Sequence, residues 1–316
     1  MRETGKSQLG PVANFLLAGT TGAVGRAFAH PFSVLKIQSQ SGMPGGRMGT
    51  VMGAYWILRL DGVRGLFKAL PVSVVRIFPQ VGIQYAIFRE YAKTVKPIEK
   101  PNLNRSVKTF VAGGIAHNIA TLLTHPLDVV KTRTIVCPAC GDLGKSSQNW
   151  MGTLSKILSQ EGIRGIYRGL VPSLIGSFIF SGTMFTAWDF MDCLPWRRRQ
   201  ARPFLYGEAY ILSVVAVSAA AIASQPVDVI RHKVMASSPA LPNTGYTDVK
   251  TVSVFEAIAR TYRINGCRGF FHGSVANVCK SVPQVTVFWI MYNKLPSLME
   301  SKRLSLGNVP LSLAKN

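Results

Sequence analysis

Acidic residues are scarce in this chain. Only 14 Asp and Glu stand against 36 Lys and Arg in 316 residues, a formal net charge of +22. Charged residues reach 16%, where a soluble globular chain carries about 25%. With 47% aliphatic and aromatic residues, the chain is too hydrophobic to be disordered. Five cysteines, an odd count without regular spacing, exclude a disulfide scaffold. No nucleophile–base pair and no metal-ligand cluster is evident, so neither an enzyme nor a metal site is expected. A nucleic-acid binder would concentrate its basic charge on a polar face rather than thin charge out elsewhere. What remains is an integral membrane protein with basic loops.

The distribution of charge supports that class. Segments 109–127, 169–188 and 209–227 contain no Asp, Glu, Lys or Arg, and about 20 apolar residues span the hydrocarbon as a helix. Segment 7–35 is similar except for Arg26, and segments 71–88 and 274–293 hold only Arg76 and Lys280. Six spans are therefore expected, three with a single cation. The start, MRETGKSQLG, lacks the apolar core of a secretory signal.

Repeats give the architecture. His30-Pro31-Phe32-Ser33-Val34-Leu35-Lys36-Ile37-Gln38 aligns with His125-Pro126-Leu127-Asp128-Val129-Val130-Lys131-Thr132-Arg133 and with Gln225-Pro226-Val227-Asp228-Val229-Ile230-Arg231-His232-Lys233. A second block follows each: Asp61-Gly62-Val63-Arg64-Gly65-Leu66-Phe67-Lys68, Glu161-Gly162-Ile163-Arg164-Gly165-Ile166-Tyr167-Arg168-Gly169 and Asn265-Gly266-Cys267-Arg268-Gly269-Phe270-Phe271-His272-Gly273. Each unit reads as a membrane helix ending at the proline motif, a loop, a short amphipathic helix, a glycine turn and a second membrane helix. Helical spacing of apolar residues marks the short helix in 150–160 and 254–263. The odd helices are rich in small residues that permit close approach. Repeats over 1–100, 101–205 and 206–316, forming one structural domain, predict an all-α membrane protein: six transmembrane helices with threefold pseudosymmetry around a central path.

The motif Pro-x-[Asp/Glu]-x-x-[Lys/Arg]-x-[Lys/Arg/Gln], repeated three times with the glycine block after it, resembles the signature of the mitochondrial carrier family over about residues 12–298. The resemblance implies a cavity that opens alternately to either side of the inner mitochondrial membrane, and a carrier that functions as a monomer. It also implies a gate of interhelical ion pairs on the matrix side: Lys36 with Asp228 and Asp128 with Arg231. Ser33 stands where the third acid belongs, leaving Lys131 without a partner, and Gln38 is placed to brace the Lys36–Asp228 pair. The outer network of the family is degenerate here: no repeat keeps both of its charges, and Arg89, Glu90, Lys93 and Asp189 are the residues left to form it. A weak outer gate, and an empty protein resting open to the outside, are the expectation.

Arg26 lies ten residues before Lys36, about 15 Å at 1.5 Å per residue, hence near mid-membrane. Arg76 and Lys280 each lie three residues before a proline, Pro79 and Pro283. A charge at the bilayer centre costs roughly 3 kcal/mol, and no acid is evident at that depth to offset it, so a transient anionic ligand is the expected partner. By family resemblance Arg76, Gly176-Ser177 and Lys280 are the substrate contact points. Arg26 matches a further basic residue of adenine nucleotide carriers, with Phe180 and Ser224 facing the same region. The favoured cargo is a nucleotide or coenzyme A-like anion, moved by exchange. Carboxylate or inorganic anion transport, and a non-transporting scaffold or leak of the same fold, remain alternatives.

The resemblance also suggests cardiolipin sites at Trp150 and Gly152 and at Arg168 and Gly169, where backbone N–H groups at helix starts meet a phosphate. Cys137 and Cys140 form a lone Cys-x-x-Cys, short of the four ligands that zinc requires. His30, His117 and His125 read as packed polar side chains.

Overall fold

The computed structural model describes residues 11–41, 50–60, 62–80, 83, 103–136, 150–192, 206–237, 253–287 and 290. The regular structure among them is helical: α1 Pro11–Ser41, α2 Thr50–Leu60, α3 Gly62–Gly65, α4 over 70–80, α5 Leu103–Val136, α6 Trp150–Ile166, α7 Leu170–Asp192, α8 Tyr206–Ala236, α9 Val254–Asn265 and α10 over 274–287. A 3-10 turn, Gly266–Phe271, joins the last two.

The long helices run through the motif prolines and end three residues beyond the motif. Pro31, Pro126 and Pro226 lie inside α1, α5 and α8, and each helix runs ten residues further, to Ser41, Val136 and Ala236. A proline in a helix interior removes one backbone hydrogen bond and bends the helix without having to end it. The extension past the proline is held by tertiary packing: Val34, Val129 and Val229, each three residues beyond its proline, are 0% exposed. Residues 37–41, 132–136 and 232–237 are buried as well. The protein is thus closed at its motif end, where α1, α5 and α8 each touch the other two.

Glycine sets two turns in every unit. Gly62, Gly162 and Gly266 have φ of 63°, 65° and 58° after the short helices, a left-handed conformation that lacks a Cβ penalty only in glycine. A second left-handed residue precedes each even helix: Ala69 at 59°, Gly169 at 76° and Gly273 at 75°. Close packing explains the last two. A Cβ at Gly169 would lie 3.4 Å from the Arg231 carbonyl oxygen, and one at Gly273 would lie 3.3 Å from that of Lys36. The turn of the second unit therefore meets the helix of the third, and the turn of the third meets the helix of the first. Ala69 joins an apolar cluster with Ile135 and Val136 of the second unit.

Small residues bring neighbouring helices close, as their abundance in α1 and α5 predicts. Gly19 faces the Phe78 ring of α4 and Gly114 faces the Phe178 ring of α7. These two contacts are equivalent between repeats, each glycine lying twelve residues before its motif proline. Phe178 also meets Phe110 edge to face at 5.3 Å. Among the described residues, one helix is long and apolar enough by composition to span a membrane, at Tyr210–Ala236, with Leu170–Met184 a shorter apolar stretch. The charge-free window at 109–127 falls within α5, and that at 169–188 covers the Gly169 turn and most of α7.

Candidate functional site: a cationic cavity above a charged gate

Below the prolines the long helices bring the motif charges together. Lys36 Nζ donates to Asp228 Oδ2 at 2.7 Å, and the two side chains are 6% and 8% exposed. This is the pairing of first-unit base with third-unit acid that the family resemblance implies. Asp228 also holds Arg231 of its own helix, with Nε 3.2 Å from Oδ1, a contact that lacks hydrogen-bond alignment. Gln38 is buried, and among the described residues it forms no hydrogen bond to the Lys36–Asp228 pair.

Two expectations need correction. Asp128 does not pair with Arg231: its Oδ2 lies 2.7 Å from Arg76 Nη2. For the same reason Arg76 is not short of an acid at its depth, because Asp128 supplies one. The cause is the missing third carboxylate. With serine at position 33, the six basic side chains at this level (Arg26, Lys36, Arg76, Lys131, Arg231 and Lys280) share Asp128 and Asp228. Arg231 is one turn from Asp228 on α8 and stays with it, which leaves Asp128 for the guanidinium that α4 presents. Arg26, Lys131 and Lys280 make no ion pair with any described residue.

These groups line one cavity. Its wall includes Arg26, Ser33, Lys36, Arg76, Asp128, Lys131, Thr132, Arg231, His232, Met235 and Lys280. Its volume is about 50 Å³, room for a few water molecules or one small anion, since a single water needs about 10–15 Å³ on such a measure. Of the seven residues expected to bind cargo, Arg26, Arg76 and Lys280 face this space. The other four do not line it. Gly176 packs against α8, where a Cβ would come within 3.4 Å of both Asp228 Oδ1 and Val227; glycine here lets α7 approach the gate carboxylate. Ser177 Oγ donates to Asn118 Oδ1 at 2.5 Å on α5, and Ser224 Oγ bonds to its own helix at Ala221. Phe180 lies beside His117, ring centroids 6.4 Å apart. Arg89, Glu90 and Lys93 lie outside the described residues, as do Cys137, Cys140 and the side chain of Asp189.

The residue before each motif proline has a role that sequence reading missed. His30 Nε2 is 2.6 Å from the Lys68 carbonyl oxygen, His125 Nε2 is 3.2 Å from that of Arg168, and Gln225 Nε2 donates to that of His272 at 2.8 Å. All three carbonyls sit just before the left-handed residue of the even-helix turn. The bond ties each odd helix, at its proline, to the turn that starts its even helix. Asn277 of α10 adds a donor to Gln225 Oε1 at 2.8 Å. The signal was present in the alignment, since His, His and Gln occupy one repeat position and all carry a side-chain donor nitrogen.

The second unit carries one further buried pair. Arg133 donates from Nη1 and Nη2 to both oxygens of Glu161, at 2.7 and 2.9 Å, and from Nε to the Met235 carbonyl at 3.1 Å. Arg168 lies 3.6 Å from the same carboxylate. The third unit has Asn265 in place of the acid, and there Lys233 donates to Thr261 instead, at 2.8 Å. Trp150 of the suggested lipid sites packs on the cluster of Val72, Val129 and Met235. Gly152 lies in the first turn of α6, and Gly169 forms the packed turn already described.

The family described as mitochondrial carrier protein matches this chain three times, over residues 7–98, 103–194 and 204–303. A maize mitochondrial carrier protein, CoAc2, is 28% identical over 90% of the chain and 85% of its own length. The mitochondrial thiamine pyrophosphate carrier 1 of Pyricularia oryzae is 27% identical over 89% and 90%. An Arabidopsis calcium-dependent mitochondrial ATP-magnesium/phosphate carrier protein is 27% identical over 90% of the chain and 56% of its own length.

Proposed function

The chain belongs to the mitochondrial carrier protein family, which makes it a transporter and not an enzyme, and from that premise we propose that it moves a phosphate-bearing anion across the inner mitochondrial membrane. It does so by alternating access, in exchange for a second anion. Six helices in a pseudo-threefold ring enclose the path. The observation that carries this reading is the cavity, where Arg26 and Lys280 face the space without an acidic partner among the described residues and Arg76 is held by a gate carboxylate. Relatives whose names specify thiamine pyrophosphate and ATP-magnesium/phosphate support phosphorylated cargo.

The Arg76–Asp128 pair suggests how binding and gating are linked. A cargo phosphate that engages Arg76, Arg26 and Lys280 competes with Asp128 for the guanidinium. Asp128 is then released toward the gate cations, and the pairing that closes the motif end must rearrange. Cargo larger than 50 Å³ requires the described cavity to widen, which that rearrangement permits. An empty cavity with surplus cations resists crossing the membrane, which favours exchange over one-way transport.

The test is thermal unfolding of the purified protein with nucleotides, coenzyme A, thiamine pyrophosphate and carboxylates. Cargo at a hundredfold excess over Kd stabilises by about 2.7 kcal/mol. Phosphorylated compounds should raise Tm, and Arg76→Ala or Lys280→Ala should abolish the rise. A shift by carboxylates alone would move the cargo to that class. No shift by any anion would remove the support for transport of phosphate-bearing cargo.

A further inference from the structure

We propose that the motif-end gate is completed by a small anion bound to Lys131 in the place that Ser33 leaves empty. In the gate that forms, the base of the first unit, Lys36, meets the acid of the third, Asp228. The same step around the repeats brings the second-unit base, Lys131, toward the first-unit position, Ser33. Serine cannot neutralise it, and its hydroxyl is turned to the Ala29 carbonyl of its own helix at 3.2 Å.

Lys131 is only 6% exposed, makes no ion pair with any described residue, and lines the cavity with Ser33 and Arg26. The charges that act on it are Arg26, Asp128, Arg76 and Lys36, three of them positive. Asp128 is already held by Arg76 at 2.7 Å. A buried cation among cations demands a counter-charge. The cavity, at about 50 Å³, admits a halide, an inorganic phosphate or a single phosphate group, and excludes a whole nucleotide. The anion comes either from solution or from an acidic group of the cargo. The site shares its cavity with Arg76 and Lys280, and what distinguishes it from the cargo contacts is its dependence on Ser33 and Lys131.

The experiment is thermal unfolding of the full-length protein in detergent, titrated separately with chloride, inorganic phosphate and ATP. Ionic strength is held constant with gluconate, which is too bulky for the cavity. Saturable stabilisation on the order of 2–4 °C by chloride or phosphate, absent in both Ser33→Asp and Lys131→Gln, assigns the site to a free anion. Stabilisation by ATP alone, diminished in the same two variants, assigns it to a cargo phosphate. If neither variant alters any anion response, the proposal is overturned. Ser33→Glu serves where the aspartate does not fold. A chloride or phosphate response lost in the two variants, with no response to any nucleotide, overturns the cargo reading alone; a nucleotide response untouched by both variants overturns the gate anion alone.

Discussion

Asp228 holds two cations, and its replacement tests the gate most directly. Its carboxylate meets Lys36 at 2.7 Å and Arg231 at 3.2 Å, and the lysine is only 6% exposed. Removing one partner of a buried ion pair costs about 3–5 kcal/mol, because the remaining charge stays buried without compensation. Asp228→Asn keeps an amide oxygen as an acceptor for Lys36, so the lower end applies, about 3 kcal/mol. That cost falls on the state closed at the motif end. At 1.4 kcal/mol per tenfold, the ratio of closed to open states should drop by about a hundredfold. The assay is alkylation of a cysteine placed at Thr132, which is buried and lines the gate cavity. Native cysteines are first changed to serine, since Cys267 and Cys279 are exposed and would react. In proteoliposomes, an impermeant maleimide on the motif side should label the Asp228→Asn background up to about a hundredfold faster than the Asp228 background. Asp128→Asn should give a smaller acceleration, because that carboxylate holds Arg76 alone. Equal labelling rates with and without Asp228, at unchanged Tm, would refute the view that this carboxylate holds the gate.

Other consequences concern stability. Glu161→Gln should lower stability by about 3 kcal/mol, because Arg133 is left charged and 4% exposed; a double-mutant cycle with Arg133→Met should show non-additivity. Lys233→Met removes the bond to Thr261 and should cost at least about 1 kcal/mol. Gln225→Leu should cost about 2 kcal/mol, through loss of the His272 and Asn277 bonds, and differential scanning fluorimetry would show it. Gly169→Ala should lower Tm, since its Cβ would press within 3.1 Å of Met235 at a φ of 76°. Ala69→Gly should instead leave Tm level or raise it by less than about 1 kcal/mol equivalent, as the left-handed strain at 59° is relieved against a gain in unfolded-chain entropy.

Much of this protein is legible in the order of its residues because its architecture is a local pattern said three times. The proline motif, the glycine after the short helix and the small residues of the long helices each act within a few residues of themselves. Their periodicity therefore predicts helices, turns and close contacts without reference to partners. Gly62, Gly162 and Gly266 show this: a helix end that needs positive φ names its residue. The chemistry of the cavity is legible for a similar reason, since Arg26, Arg76 and Lys280 interrupt otherwise charge-free runs.

Pairing is a different kind of quantity. Which carboxylate a cation selects depends on distances across three helices and on competition among all the charges present. Asp128 turns to Arg76 while Arg231 sits against the Asp228 of its own helix, a choice that no alignment of one motif with another contains. Gly176, Ser177 and Ser224 lie apart from the lining of the described cavity on the same account. Spacing sets a residue's position along its helix, whereas facing a cavity depends on the helix rotation that packing selects. Position along a helix, sign of charge and repeat follow from the sequence; rotation and partner are decided by tertiary structure, because they are settled by contacts between different helices, 52 positions apart for Arg76 and Asp128 and 192 for Lys36 and Asp228.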